Sequence, residues 1–404
     1  MDTQNTPIHL NLWHKDFWLL VFAHLLLSMS VYMLVPALPP HLFHRGASSL
    51  IVASAMGVFG LGLFLLGPFC SYWVERYRRN RVCLLAIGGV VACILALSVL
   101  DEQKASPADI WIYLLVRFLM GACYGLAVMV LSGVLVVDTC ESFVRTEANH
   151  ADGWFARFAL ALGPVVSLLV FRMFDYEAVV LASAALALAS AVLLLCAHFP
   201  FKAPLESSCK VSLDRFLLRG SWPLFVNLML LSTIVGLLLS MPRADKFFGM
   251  MLVGFAFALL AEKYAFHDAN LKSEVVTGLV VIAAAQLVPP SNVTGVVFIA
   301  PSLFGFGVGI IGSRFLLFFI KLAGHCQRGT SQSTFFLASE LGISMGLFLG
   351  IGVLGDAPAL ASDVVIGGGD LYARTRTVAI ALVVVNFLFY NFFVHPWYVS
   401  HKNR

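Results

Sequence analysis

The chain has 404 residues, 60% of them hydrophobic and 12% charged, with a mean hydropathy of +0.90, whereas soluble domains carry about 25% charged residues. This composition excludes an ordinary water-soluble globular domain, and a net charge of +4 distributed over short turns offers no basic face for nucleic acid. Eight cysteines form no CxxC pair and no Cys/His cluster with ligand spacing, so no disulfide framework, metal or other cofactor is expected.

Apolar stretches long enough to cross roughly 30 Å of hydrocarbon as helices recur along the sequence. Hydropathy and turn signals place them at 17–38, 51–74, 82–100, 110–137, 155–174 and 178–197. A polar connection follows, and then six more spans at 222–241, 247–261, 275–289, 295–320, 330–354 and 374–395. The first run is too long for a signal-peptide core and has no small-residue cleavage site after it, so it is kept as a span. With the N-terminus inside, seventeen Lys and Arg fall in inner turns and seven in outer ones. That bias predicts both termini in the cytoplasm and a protein integral to the cell (inner) membrane.

The stretch Gly62 to Arg81 reads as two spans joined by a tight basic turn, and its skeleton recurs. Gly62, Gly67, Glu75, Arg76 and Tyr77 reappear as Gly249, Gly254, Glu262, Lys263 and Tyr264, each displaced by 187 positions. Gly121 precedes Arg145 by 24 residues, and Gly305 precedes Arg328 by 23. The expected fold is therefore all-α and integral to the membrane, with twelve transmembrane helices in two pseudo-symmetric six-helix halves. The halves are residues 1–199 and 222–404, with a cytoplasmic linker at 200–221.

Several short patterns occur together: Glu75 and Arg76 with Arg79 in the first basic turn, Arg117 to Gly121 (RFLMG) in the fourth span, Asp138 and Arg145 around its inner end, and Gly163-Pro164 in the fifth. In these residues, across essentially the whole chain, the sequence resembles the major facilitator superfamily. The first nine positions of the family's G-x-x-x-D-R-x-G-R-R turn fall on Ser71 to Arg79, with both glycines and the Asp replaced. Gly163-Pro164 is similar to an element of family antiporters, without its later glycines. The resemblance implies a cytoplasmic gate that latches the two halves while the cavity is open outward. Glu75, Arg76, Arg79, Asp138 and Arg145 would belong to it, with Glu262 against the start of the fifth span as the mirror element and Arg328 at the start of the eleventh span.

Physical chemistry supports attention to Glu75. It lies at the C-terminal end of its own helix, where the macrodipole disfavours an anion by up to about 1 kcal/mol. A partner outside its helix is expected, either the nearby arginines or the start of the eleventh span near Gly329. Because four arginines follow Glu75 and only Lys263 follows Glu262, Glu75 is expected to be the dominant gate.

Charged groups inside spans are costly and mark pathways or partners. Arg117, His24 and Glu340 are the candidates for transport and proton coupling, with Glu340 read as the only carboxylate well inside an apolar run. Arg314 is read as snorkelling to the inner face. Tyr32, Tyr124, Asn227 and Asn386 are candidate cavity residues, and the cationic balance of Arg117 and His24 against Glu340 favours an anionic or neutral substrate. Two soluble-enzyme patterns, Gly307-x-Gly309-x-x-Gly312 and Gly342-x-Ser344-x-Gly346, lie inside apolar spans with no preceding strand, and helix packing explains them.

The sequence thus points to a secondary active transporter working by alternating access, and not to an enzyme. No Walker-type loop is present, so an ion gradient drives it, with the proton first. Efflux of small amphipathic compounds is preferred, and uptake of a small organic anion or sugar-like metabolite is the alternative. A lipid-modifying membrane enzyme or a non-transporting sensor is the competing class. Expected partners are the small-molecule substrate, protons and the lipid bilayer, around a monomer.

Overall fold

The structure is a computed structural model describing residues 12–102, 107–141, 143–198, 209–241, 245–266, 270–288, 294–324, 327–354 and 369–402. Within them twelve helices follow in order: α1 Lys15–His44, α2 Ser49–Arg76, α3 Arg79–Leu100, α4 Ile110–Asp138, α5 Arg145–Met173 and α6 Tyr176–Cys196. Then come α7 Trp222–Leu239, α8 Lys246–Tyr264, α9 Leu271–Leu287, α10 Phe298–Leu322, α11 Arg328–Gly352 and α12 Ala373–His401. Eleven are long and apolar enough to cross a membrane, and α9, with 17 residues, falls just short of that length. Residues 1–11 and 199–208 lie outside the described residues, as does the first part of the predicted linker.

Two spans begin earlier than hydropathy suggests. Helix α5 starts at Arg145, ten residues before the expected 155, and α9 starts at Leu271, four before 275. Their first turns are polar; Glu147, Lys272 and Ser273 stay exposed, while Glu274 and, further along α5, His150 and Asp152 find partners inside the bundle.

The packing repeats after six helices. In the first half α1 contacts α5 and α6, α2 contacts α4, and α3 contacts α4 and α6. In the second half α7 contacts α11 and α12, α8 contacts α10, and α9 contacts α10 and α12. Between halves the contacts pair as α2 with α11 and α5 with α8, which is the pattern of two repeats related by an axis along the membrane normal.

Glycines set the closest crossings. A Cβ on Gly62 would run into the carbonyl of Phe118, and one on Gly121 into the carbonyl of Phe59. The second half repeats this with Gly254 against the Ser302 carbonyl and Gly305 against the Met251 carbonyl. The structural counterpart of Gly62 is therefore Gly254 and not Gly249, which has nothing within 4 Å of a built Cβ. On α11, Gly342, Gly346 and Gly350 form one face against Met229, Thr233 and Ser240 of α7, so the small-residue seam lies inside the second half.

Helix α2 is not continuous. Its α-helical part stops at Gly62, Gly67–Phe69 form a 3-10 turn, and the helix resumes over Cys70–Arg76. Pro68 explains the break, because it lacks an N–H and its ring clashes with the carbonyl four residues earlier. The Pro68 carbonyl accepts from Ser212 N at 2.9 Å, and the Phe216 ring fills the space over Gly67. The connection from Cys209 to Ser221 also binds α11: Arg215 N donates to Thr330 Oγ1 at 2.9 Å and Leu218 N to Thr334 Oγ1 at 2.8 Å.

Candidate functional site

Where the halves meet, α1 presents His24, Ser28 and Tyr32 at four-residue spacing, which places them on one helix face. All three are buried. His24 Nδ1 lies 2.8 Å from Asp152 Oδ1 on α5, and Gln332 Nε2 of α11 donates to Asp152 Oδ2 at 3.4 Å. Tyr32 donates its hydroxyl to Glu340 of α11. Tyr124 of α4 donates to Ser28 Oγ at 3.1 Å, and its ring meets Phe336 of α11 with centroids 5.6 Å apart. A chain of buried polar groups therefore runs between the halves, and both of its crossings to α11 involve a carboxylate. Buried groups of this kind are costly unless hydrogen-bonded.

A second network lies at the basic end of the bundle. Glu262 Oε1, near the end of α8, accepts from Ser313 Oγ at 2.6 Å and sits 2.9 Å from His150 Nε2 of α5 and 3.2 Å from Arg314 Nη2 of α10. Arg314 also pairs with Glu274 in the first turn of α9. His150 supplies the link to the first half.

The profile of the Major Facilitator Superfamily matches residues 20–347. The chain belongs to the Major Facilitator Superfamily. It is a membrane transporter of that fold, similar to the human organic anion transporter MFSD10 (TETRAN) at 16% identity, over 93% of this chain and 98% of that one, with a TM-score of 0.66. The POT family transporter PepTSo matches at 10% identity over 97% and 100% of the two chains, TM-score 0.66. A bacterial homologue of the iron transporter ferroportin, in an outward-facing state, matches at 16% identity over 95% and 99%, TM-score 0.61. At these identities the likeness is one of fold. No curated protein sequence matches the chain.

In this superfamily member the residues singled out from sequence fall into separate places. His24, Tyr32, Tyr124 and Glu340 come together in the central chain. Asn227 and Asn386 do not join it: Asn386 Nδ2 donates to the Asn227 carbonyl at 2.9 Å and Asn227 Nδ2 lies 3.3 Å from Asn386 Oδ1, a clasp between α7 and α12. Arg117 turns away from the centre. Its Nε donates to the Ala55 carbonyl of α2 at 3.1 Å and its guanidinium carbon lies 5.1 Å from the Phe59 ring centroid, so it braces α4 on α2.

The basic turn also differs from expectation. Glu75 accepts from Ser71 Oγ of its own helix at 3.2 Å, while Gly329 packs against Gly133, where α4 takes a π turn over Leu131–Leu135. Arg76 donates to Tyr72 Oη at 2.6 Å, again within α2. Arg79 pairs with Asp138 inside the first half, and Arg145 Nε donates to the Cys140 carbonyl at 3.3 Å. Arg328 opens α11 half-buried. At the basic end Glu262 therefore reaches across to His150 of the first half, whereas Glu75 bonds within its own helix and not with the start of α11. Arg314 is 8% exposed and ion-paired, so it is a buried partner and not a snorkelling one.

Sequence reading missed Asp152, His150, Gln332 and Glu274. Glu340 is consequently not the only deep carboxylate, since Asp152 is 0% exposed. With Asp152 counted, the central charge balance no longer favours an anion on grounds of excess cation. The available signal was spacing: Asn149 and Asp152 lie three residues apart, on one face of a helix whose first turns are polar.

Proposed function

We propose that the chain is a proton-coupled secondary transporter, moving a small organic solute by alternating access, with both termini in the cytoplasm of the cell membrane. The observation that carries this reading is that two polar links from α11 to the first half among the described residues, Gln332 to Asp152 and Tyr32 to Glu340, each use a carboxylate. An ionised carboxylate only accepts hydrogen bonds, while a protonated one also donates. Proton loading therefore rewrites the bonds that hold the halves together, which is the differential interaction a coupled two-state carrier requires. The halves, 1–199 and 222–404, are the rocking units around the 200–221 linker, and a single chain holds the complete site. Efflux by proton antiport is the preferred direction, from the Gly163-Pro164 resemblance.

Proteoliposomes with an imposed pH gradient and a panel of amphipathic organic compounds test it. Compound-dependent proton flux is expected, reduced by about tenfold or more in Glu340→Gln and in Asp152→Asn, equivalent to about 1.4 kcal/mol in the barrier. Flux that both variants carry at the wild-type rate would sink the coupling assignment.

A further inference from the structure

Arg157, on α5, is a buried cation that neither network includes. It is 8% exposed, and none of its three guanidinium nitrogens has a hydrogen-bond partner among the described residues. Its guanidinium carbon lies 4.8 Å from the Trp154 ring centroid and 5.9 Å from that of Phe335 on α11. Space for it comes from Gly312 of α10, where a Cβ would stand 2.7 Å from Arg157 Nε. The last glycine of the GxGxxG pattern thus faces this side chain.

A buried, unpaired guanidinium is among the costliest groups a membrane bundle can hold. Aromatic contacts offset part of that cost through cation–π attraction. They engage the ring-facing side of a planar group whose in-plane N–H donors form the fork that matches a carboxylate bidentately. Glu262 and Arg314 are the charged groups within electrostatic reach, and they are bound to each other at 3.2 Å. Beside the fork, the Trp154 indole nitrogen is also buried without a partner, and an indole N–H is a donor only. Both of these α5 groups are donors, while Glu262 Oε2 is a buried acceptor without a partner within their electrostatic reach, and both lie where α5 of the first half meets α10 and α11 of the second, a junction that would open if the halves rock as proposed.

We infer that Arg157 and Trp154 form a binding site for the carboxylate of a small organic anion with an aromatic or apolar body. The fork of Arg157 takes the two oxygens, the Trp154 N–H supplies a further donor, and Phe335 lies against the apolar part. This rests on the transporter reading above and adds the chemical class of the substrate.

Thermal-shift titration of the purified full-length protein provides the test, with benzoate as the probe, benzamide as its neutral isostere and benzylamine as a cation of similar size. Benzoate should raise the melting temperature in a saturable way, as mass action requires. Benzamide should need at least about tenfold higher concentration, and benzylamine should have no effect. Arg157→Gln should erase the preference for benzoate. Arg157→Lys, which keeps the charge without the fork, should weaken it. The wild-type comparison of the two isosteres decides the matter even where a variant fails to fold. Equal potency of benzoate and benzamide, or an unchanged preference in Arg157→Gln, would overturn the inference; pairing of Arg157 with Glu262 in another state would give that result. Benzoate binding without proton flux would remove the coupling assignment alone, and proton flux without the benzoate preference would remove this site alone.

Discussion

The two copies of the basic turn differ in the partners their acids find. In the first half Glu75 lies thirteen positions after the crossing glycine Gly62, and in the second Glu262 lies eight positions after Gly254. The extra five residues are taken up by the break around Gly67 and Pro68. Continuous α8 delivers Glu262 onto His150 of the opposite half, while interrupted α2 ends in an acid satisfied by Ser71 of its own helix. Equivalent sequence positions acquired inequivalent partners because one helix is broken and the other is not.

The largest effect should come from Glu262→Gln. Neutralising one member of a buried ion-paired cluster costs on the order of 3 kcal/mol, whereas Glu75→Gln should change stability by less than about 0.5 kcal/mol. Melting in detergent, together with labelling of cysteines introduced on either face, reads both stability and state balance. Equal responses would break the comparison. Next come Gly62→Ala and Gly254→Ala, each placing a Cβ on a neighbouring carbonyl, with an expected loss of about 2 kcal/mol from overpacking in both halves. Gly249→Ala sharpens the register further. No atom stands within 4 Å of its Cβ, so the better helix propensity of Ala should stabilise by about 0.5 to 1 kcal/mol. A melting temperature lowered by Gly249→Ala would restore the 187-position pairing at the crossing.

The twelve-helix fold and its superfamily were legible in the sequence, since hydropathy and turn chemistry carry the membrane constraint directly. The repeat was legible in its acids and hidden in its crossings. Leu63 to Leu66 are as apolar as a helix interior, so hydropathy is blind to the interruption, and only Gly67-Pro68 marks it. In the central chain, His24, Tyr32, Tyr124 and Glu340 stood out as polar groups in apolar runs. Asp152 and His150 did not, because Arg145 to Asp152 is polar enough to be read as a turn. Partner choice was the least legible property: nothing local distinguishes Arg117, which braces two neighbouring helices, from Arg157, which faces the opposite half.

The Cys209 to Ser221 connection has a consequence for which half carries it during transport. Among the described residues it is tied to α2 by one backbone bond, Ser212 to Pro68, and to α11 by the Arg215 and Leu218 bonds to two threonines and by Thr330 donating to Asp214. At about 1 kcal/mol per hydrogen bond, release from α2 is the cheaper rupture. If the halves rock as proposed, the strap would travel as luggage of the second half and Phe216 would leave Gly67 at each opening, so the unseating of one aromatic ring from a helix break would become part of the cycle.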